Sequence, residues 1–140
     1  MLSWLWYIVL ATVAGSLSVV LAKAGLREAS EYPALVIRTG ILFLVTVAIT
    51  IRSGQLGDIF NLNKHSLLII TATGISTSVY WIFYYKALKL ADAHKVAALD
   101  KAGIILTVVL SSLLLKEPVS IKTALGIVII LAGCLLIISE

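Results

Sequence analysis

The chain has 140 residues, is 61% hydrophobic and 13% charged, and carries a net charge of +4. With a mean hydropathy of +1.10, it lies outside the range of soluble globular domains. A nucleic-acid partner is excluded because the basic residues are single and sit mainly at the ends of apolar stretches, where lipid headgroups hold them.

A helix needs about 20 apolar residues to cross a bilayer. Five stretches meet that length: Ser3–Ala22, Pro33–Ile51, Ser66–Tyr85, Val96–Leu115 and Ile121–Ser139. The expected fold is therefore an all-α polytopic membrane protein, one five-helix transmembrane domain over residues 1–140. The first span lacks a basic flank and a small-residue cleavage site, so it reads as a retained helix and not a signal peptide. Ala11, Gly15, Ser18 and Ala22 form a small-residue stripe along it, of the kind that packs helices in lipid.

Pro33 suits the first turn of span two. Arg38 follows five residues later, with Thr39, Thr46 and Thr50 near it. The loop Arg52–His65 carries Gly54, Gly57, Asn61 and Asn63, which are turn residues. Span three places Thr71, Gly74, Ser78, Trp81 and Tyr85 within roughly one face. The run Tyr80, Trp81, Phe83, Tyr84 and Tyr85 covers more than one face, so part of it points inward. Trp81 and Tyr85 are the candidates for a cavity wall, with Ser78 above them. Such a wall favours apolar, aromatic or cationic ligands.

Asp92 is a candidate cap for span four. Asp100 and Lys101 lie inside that span, and Asp100 shares a stripe with Gly103, Thr107 and Ser111. Pro118 breaks the chain before span five, and Ser120 can cap the last helix. Span five is apolar nearly all round, so it is expected to pack outside the other four, against lipid or a second subunit. Cys134 lies within it as a small packing residue, and a lone cysteine forms no intrachain disulfide.

Charges inside a span cost about 2.5–3.5 kcal/mol each on insertion scales. Arg38, Asp100 and Lys101 therefore call for an explanation. Arg38 and Asp100 each lie five residues past the start of their spans, roughly 7–8 Å below the same membrane face. Their equal depth and opposite sign predict an ion pair or a shared water-filled vestibule. Lys101 can snorkel. Lys23 and Lys86 end spans on that same side, as structural anchors or gating groups, and Glu117 is an expected partner of Lys116 or Lys122. There is no Walker loop, no cysteine pair and no HExxH, and His65 and His94 fall in separate loops. No catalytic residue, metal site or cofactor is expected.

Lys/Arg asymmetry sets orientation, and here it is slight. Lys23, Arg27, Lys86, Lys89 and Lys95 share one side; Arg52, Lys64, Lys116 and Lys122 share the other. The sequence permits insertion in both orientations; the alternative is a single orientation, with the N-terminus external when the intramembrane Arg38 and Lys101 are counted on the first side.

Several segments carry a family likeness: Leu21-Ala22-Lys23-Ala24-Gly25, Ile37-Arg38-Thr39-Gly40, Tyr84-Tyr85-Lys86-Ala87-Leu88, Lys95-Val96-Ala97-Ala98-Leu99-Asp100-Lys101 and Leu113-Leu114-Leu115-Lys116-Glu117. In order and spacing they resemble the short, single-repeat members of the EamA family, in the drug/metabolite transporter superfamily. The resemblance implies a single repeat of that superfamily working as an antiparallel homodimer, with a central path for a small-molecule substrate, in the plasma membrane of a bacterium or archaeon. Inverted repeats around a midplane site are a recurrent transporter design. Two departures stand out. The family often has Pro where Ala98 stands, and Gly where Lys116 stands. A membrane subunit that scaffolds a partner without transporting is the alternative reading, resting on the apolar last helix.

Overall fold

The computed structural model describes residues 3–139, and every regular element among them is helical. Helix α1 is Ser3–Gly25 and α2 is Glu31–Arg52; a 3-10 turn at Leu56–Asn61 leads to α3, Lys64–Leu90. Helices α4 (Ala93–Lys101), α5 (Ile104–Leu115) and α6 (Ile121–Ile138) complete the chain. Five segments are long and apolar enough to cross a membrane, with α4 and α5 together making the fourth. The expected spans all appear. Helix α3 runs five residues past its expected end, so Lys86 and Lys89 sit on helix and not in a loop.

Local chemistry explains the helix ends. Ser120 accepts a bond from the Thr123 N–H at 3.1 Å, a side-chain cap that leaves α6 a defined start. Asn63 accepts from the Ser66 N–H at 2.7 Å at the head of α3. Asp92 holds the capping position of α4 with extended backbone, but makes no side-chain capping bond. Gly54, at φ +74°, turns the chain after α2 in the left-handed region that favours glycine.

The fourth span is not one continuous helix. Past Lys101 the hydrogen bonds tighten from i−4 to i−3: the Ala102 N–H donates to Leu99 O at 3.0 Å and the Gly103 N–H to Asp100 O at 3.1 Å. This is a short 3-10 passage, and such passages inside a long helix mark hinges or strain. No proline causes it, since none stands between Ala93 and Leu115. A Cβ on Gly103 would lie 3.0 Å from Asp100 O, so the tight turn suits the residue that lacks one.

The chain forms two compact units. One joins α1 as far as Val19 to the chain from Ala91 onward; the other is Val20–Leu90. In the first, α6 packs on α4. Cys134 is buried there, and its Sγ–H donates to Ala98 O at 3.0 Å. In the second, α2 packs on α3, and Leu26, Tyr84, Tyr85 and Leu88 are buried. Large apolar side chains such as Leu113, Ile129 and Val36 are about 70% exposed, as suits helices whose outer faces meet lipid.

Several hydroxyls along the spans are satisfied within their own helices. Thr12 donates to Ile8 O, Thr46 to Leu42 O, Thr71 to Leu67 O, Ser78 to Gly74 O and Thr107 to Gly103 O, at 2.8–3.2 Å. This back-bonding removes most of the cost of carrying a hydroxyl in lipid.

Candidate functional site

Within the Val20–Leu90 unit, Arg38 lies on α2 about 10 Å along the axis from Glu31. Its guanidinium stacks over the Trp81 ring, with the central carbon 3.6 Å from the ring centroid. Both side chains are half-buried. The indole is itself fixed by its neighbours on α3. Its centroid is 5.1 Å from Tyr80, 5.4 Å from Tyr84 and 6.0 Å from Tyr85, each an edge-on contact near 75°. Tyr80 and Tyr84 stack at 5.3 Å. Residues at i, i+1, i+4 and i+5 of one helix thus make a rigid aromatic block.

The magnitudes set a balance. A guanidinium inside a span costs about 2.5–3.5 kcal/mol. A cation–π contact returns about 0.5–2 kcal/mol. No carboxylate of the Val20–Leu90 segment forms an ion pair with Arg38, among the described residues. The ring therefore offsets only part of the cost, and stacking leaves the in-plane N–H donors of the guanidinium open to a further acceptor.

At the ends of α1 and α3 two lysines reach across to carbonyls that the helices leave unpaired. Lys23 Nζ donates to Leu88 O at 2.7 Å. Lys89 Nζ donates to Leu26 O and, at 2.8 Å, to Ala29 O. A cation at a helix C-terminus also meets the negative end of the helix dipole. A small cavity of about 170 Å³ sits among Lys23, Leu26, Arg27, Leu88 and Lys89. Lys23 is therefore a cross-helix clamp as well as a span-end charge, and Lys89 is its counterpart, which the sequence reading passed over. Lys86 lies near the Tyr32 ring, 5.5 Å from its centroid.

In the other unit, Asp100 is part-buried at the last turn of α4, about 10 Å from Ala93. Lys101 Nζ meets its carboxylate at 3.3 Å, with the Lys101 side chain 72% exposed. The pair stands immediately before the 3-10 passage. Glu117 follows Lys116 in the linker, where its N–H reaches back to Ser111 O at 3.4 Å. Lys116 itself has φ 56° and ψ 31°, the left-handed conformation that glycine adopts at the end of a helix.

The sequence candidates are thus distributed as follows. Arg38, Trp81 and Tyr85 come together in one unit, with Tyr85 buried edge-on against the indole as its support. Ser78 is exposed on the same helix and bonded to its own backbone. Asp100 and Lys101 come together in the other unit. Among the described residues no group of three or more His, Cys, Asp or Glu side chains could hold a metal ion.

A family model described as the EamA-like transporter family matches residues 2–139. The chain belongs to this family. A curated relative from Sinorhizobium sp, named an uncharacterized transporter in cobO 3'region, is 33% identical over 135 residues, covering 96% of each chain. No solved structure matches. This EamA-like protein is thus a multi-pass membrane transporter. The resemblance seen in the Lys23, Arg38, Lys86 and Asp100 motifs extends over nearly all its length.

Proposed function

We propose that this transporter moves a small organic metabolite or drug-like molecule by alternating access, as a dimer of oppositely inserted copies in the plasma membrane of a bacterium or archaeon. Arg38, Asp100 and Lys101 form the polar gate of one hydrated passage. Trp81, backed by the buried Tyr85, and Ser78 belong to its wall, and Lys23, Lys86 and Glu117 hold its rim. The observation that carries this reading is the presence of ionic groups inside spans two and four of a family of transporters, where lipid makes such groups costly. The break after Lys101 supports it, because broken helices in transporters supply the movable backbone beside a substrate path. The near balance of basic residues between the two sides supports opposed insertion. The chain has no nucleotide-binding motif, so coupling is to an ion gradient or absent, and the protein is not an enzyme.

The test is reconstitution of the purified chain in vesicles, with an impermeant label reporting the side of each terminus. The reading expects substrate-dependent flux from this polypeptide alone, and both termini found on both sides. No flux, with strict co-purification of another membrane protein, favours the non-transporting subunit instead.

A further inference from the structure

We propose that the Arg38–Trp81 pair binds an oxyanion, and that the transported molecule is an organic anion, carboxylate or phosphate, joined to a flat or apolar body. This names a substrate class and rests on the transport reading above. The guanidinium already covers the indole at 3.6 Å. A cationic ligand would have to share that face with a like charge, so the usual preference of an aromatic wall for cations is reversed here. The stacked guanidinium keeps a planar fork of N–H donors that fits a carboxylate or phosphate with two parallel bonds. No carboxylate of the Val20–Leu90 segment pairs with it, among the described residues. Tyr80 lies edge-on to the indole and is 42% exposed, leaving an aromatic surface for the body of the ligand. The Ser78 hydroxyl, one turn before Trp81 on α3, donates to its own helix, and Lys89 is held by Leu26 O and Ala29 O.

Trp81 can report directly on the site. The chain has three tryptophans, and replacing Trp4 and Trp6 by Phe leaves Trp81 as the single emitter. The purified full chain in neutral detergent is titrated with benzoate, benzamide, benzylamine and phosphatidylglycerol, and Trp81 emission is followed. Benzoate should give a saturable change, with benzamide and benzylamine at least about tenfold weaker, the loss expected when one charge-assisted bond is removed. Arg38→Gln should weaken benzoate about tenfold or more; Arg38→Lys, which keeps charge but lacks the fork, should weaken it about threefold or more. Melting curves establish folding, and if Arg38→Gln does not fold, Arg38→Lys decides. Equal affinity for benzamide or benzylamine overturns the proposal, as does unchanged benzoate binding in a folded Arg38 variant. A response to phosphatidylglycerol with none to benzoate also overturns it and makes Arg38 a lipid-headgroup anchor. Binding in detergent requires no transport. Flux without benzoate binding therefore rejects the anion assignment alone, and binding without flux rejects transport alone.

Discussion

Replacing Cys134 tests how the break in span four is held. The Ala102 N–H turns to Leu99 O, which deprives Ala98 O of its i+4 donor. The Cys134 thiol, 7% exposed, supplies one at 3.0 Å from α6. Cys134→Ala leaves a carbonyl without a partner, at about 1–3 kcal/mol. It also leaves a void of roughly methyl size, at about 1 kcal/mol. The expected cost is therefore about 2–4 kcal/mol. Cys134→Ser keeps a donor and loses only some packing, at about 1 kcal/mol. Cys134→Val keeps the volume and loses the donor, at about 1–3 kcal/mol. Thermal unfolding in detergent should rank the proteins wild type, Ser, then Val and Ala. If Val matches wild type while Ser is as unstable as Ala, the thiol only fills space and the reasoning about the released carbonyl is wrong.

Three further substitutions probe other parts of the structure. Lys116→Gly should stabilise the protein by about 1 kcal/mol in the same melting assay, because Lys116 holds a left-handed conformation at φ 56° that costs a side-chain residue about 1–2 kcal/mol; a fall in stability would count against that geometry. Lys89→Met should cost about 1.5–3 kcal/mol, through loss of charge-assisted bonds to Leu26 O and Ala29 O; a melting point equal to wild type would remove the clamp. Gly103→Ala meets Asp100 O at 3.0 Å, and the easiest relief is a more regular helix through Asp100. It should lower flux in reconstituted vesicles several-fold while the protein still folds, and unchanged flux would mean that the 3-10 passage has no part in transport.

The spans were legible because lipid enforces a blunt rule, about 20 apolar residues per crossing, and the five stretches obey it. Ser120 was legible as a cap because its bond to Thr123 N is local. Cys134 was rightly read as a small packing residue, but its bond to Ala98 O was hidden. That bond exists only because α4 changes pitch, and no proline or glycine precedes the change to announce it. The hydroxyls of spans two to four stand on shared helical faces in the sequence; each hydroxyl traced above donates to its own helix, an outcome that residue type alone does not distinguish. The lysines at span ends were read as lipid anchors because charge at a boundary has that general use. That Lys23 and Lys89 reach carbonyls more than 60 residues away depends on how the ends of α1 and α3 meet. Trp81 and Tyr85 were picked from their helical spacing, whereas Arg38 stacking on the indole required α2 to lie against α3. The expected ion pair or shared vestibule of Arg38 and Asp100 belongs to the proposed passage.

Water access to that passage is the most direct measurement. In a Cys134→Ser background, single cysteines at positions 38 and 100, and at the outward, 66% exposed Leu106, are treated with a membrane-impermeant thiol reagent in sealed vesicles. The account predicts that positions 38 and 100 react from the aqueous phase and that position 106 does not. If positions 38 and 100 stay as unreactive as 106, the ionic groups face lipid and the transport path lies elsewhere.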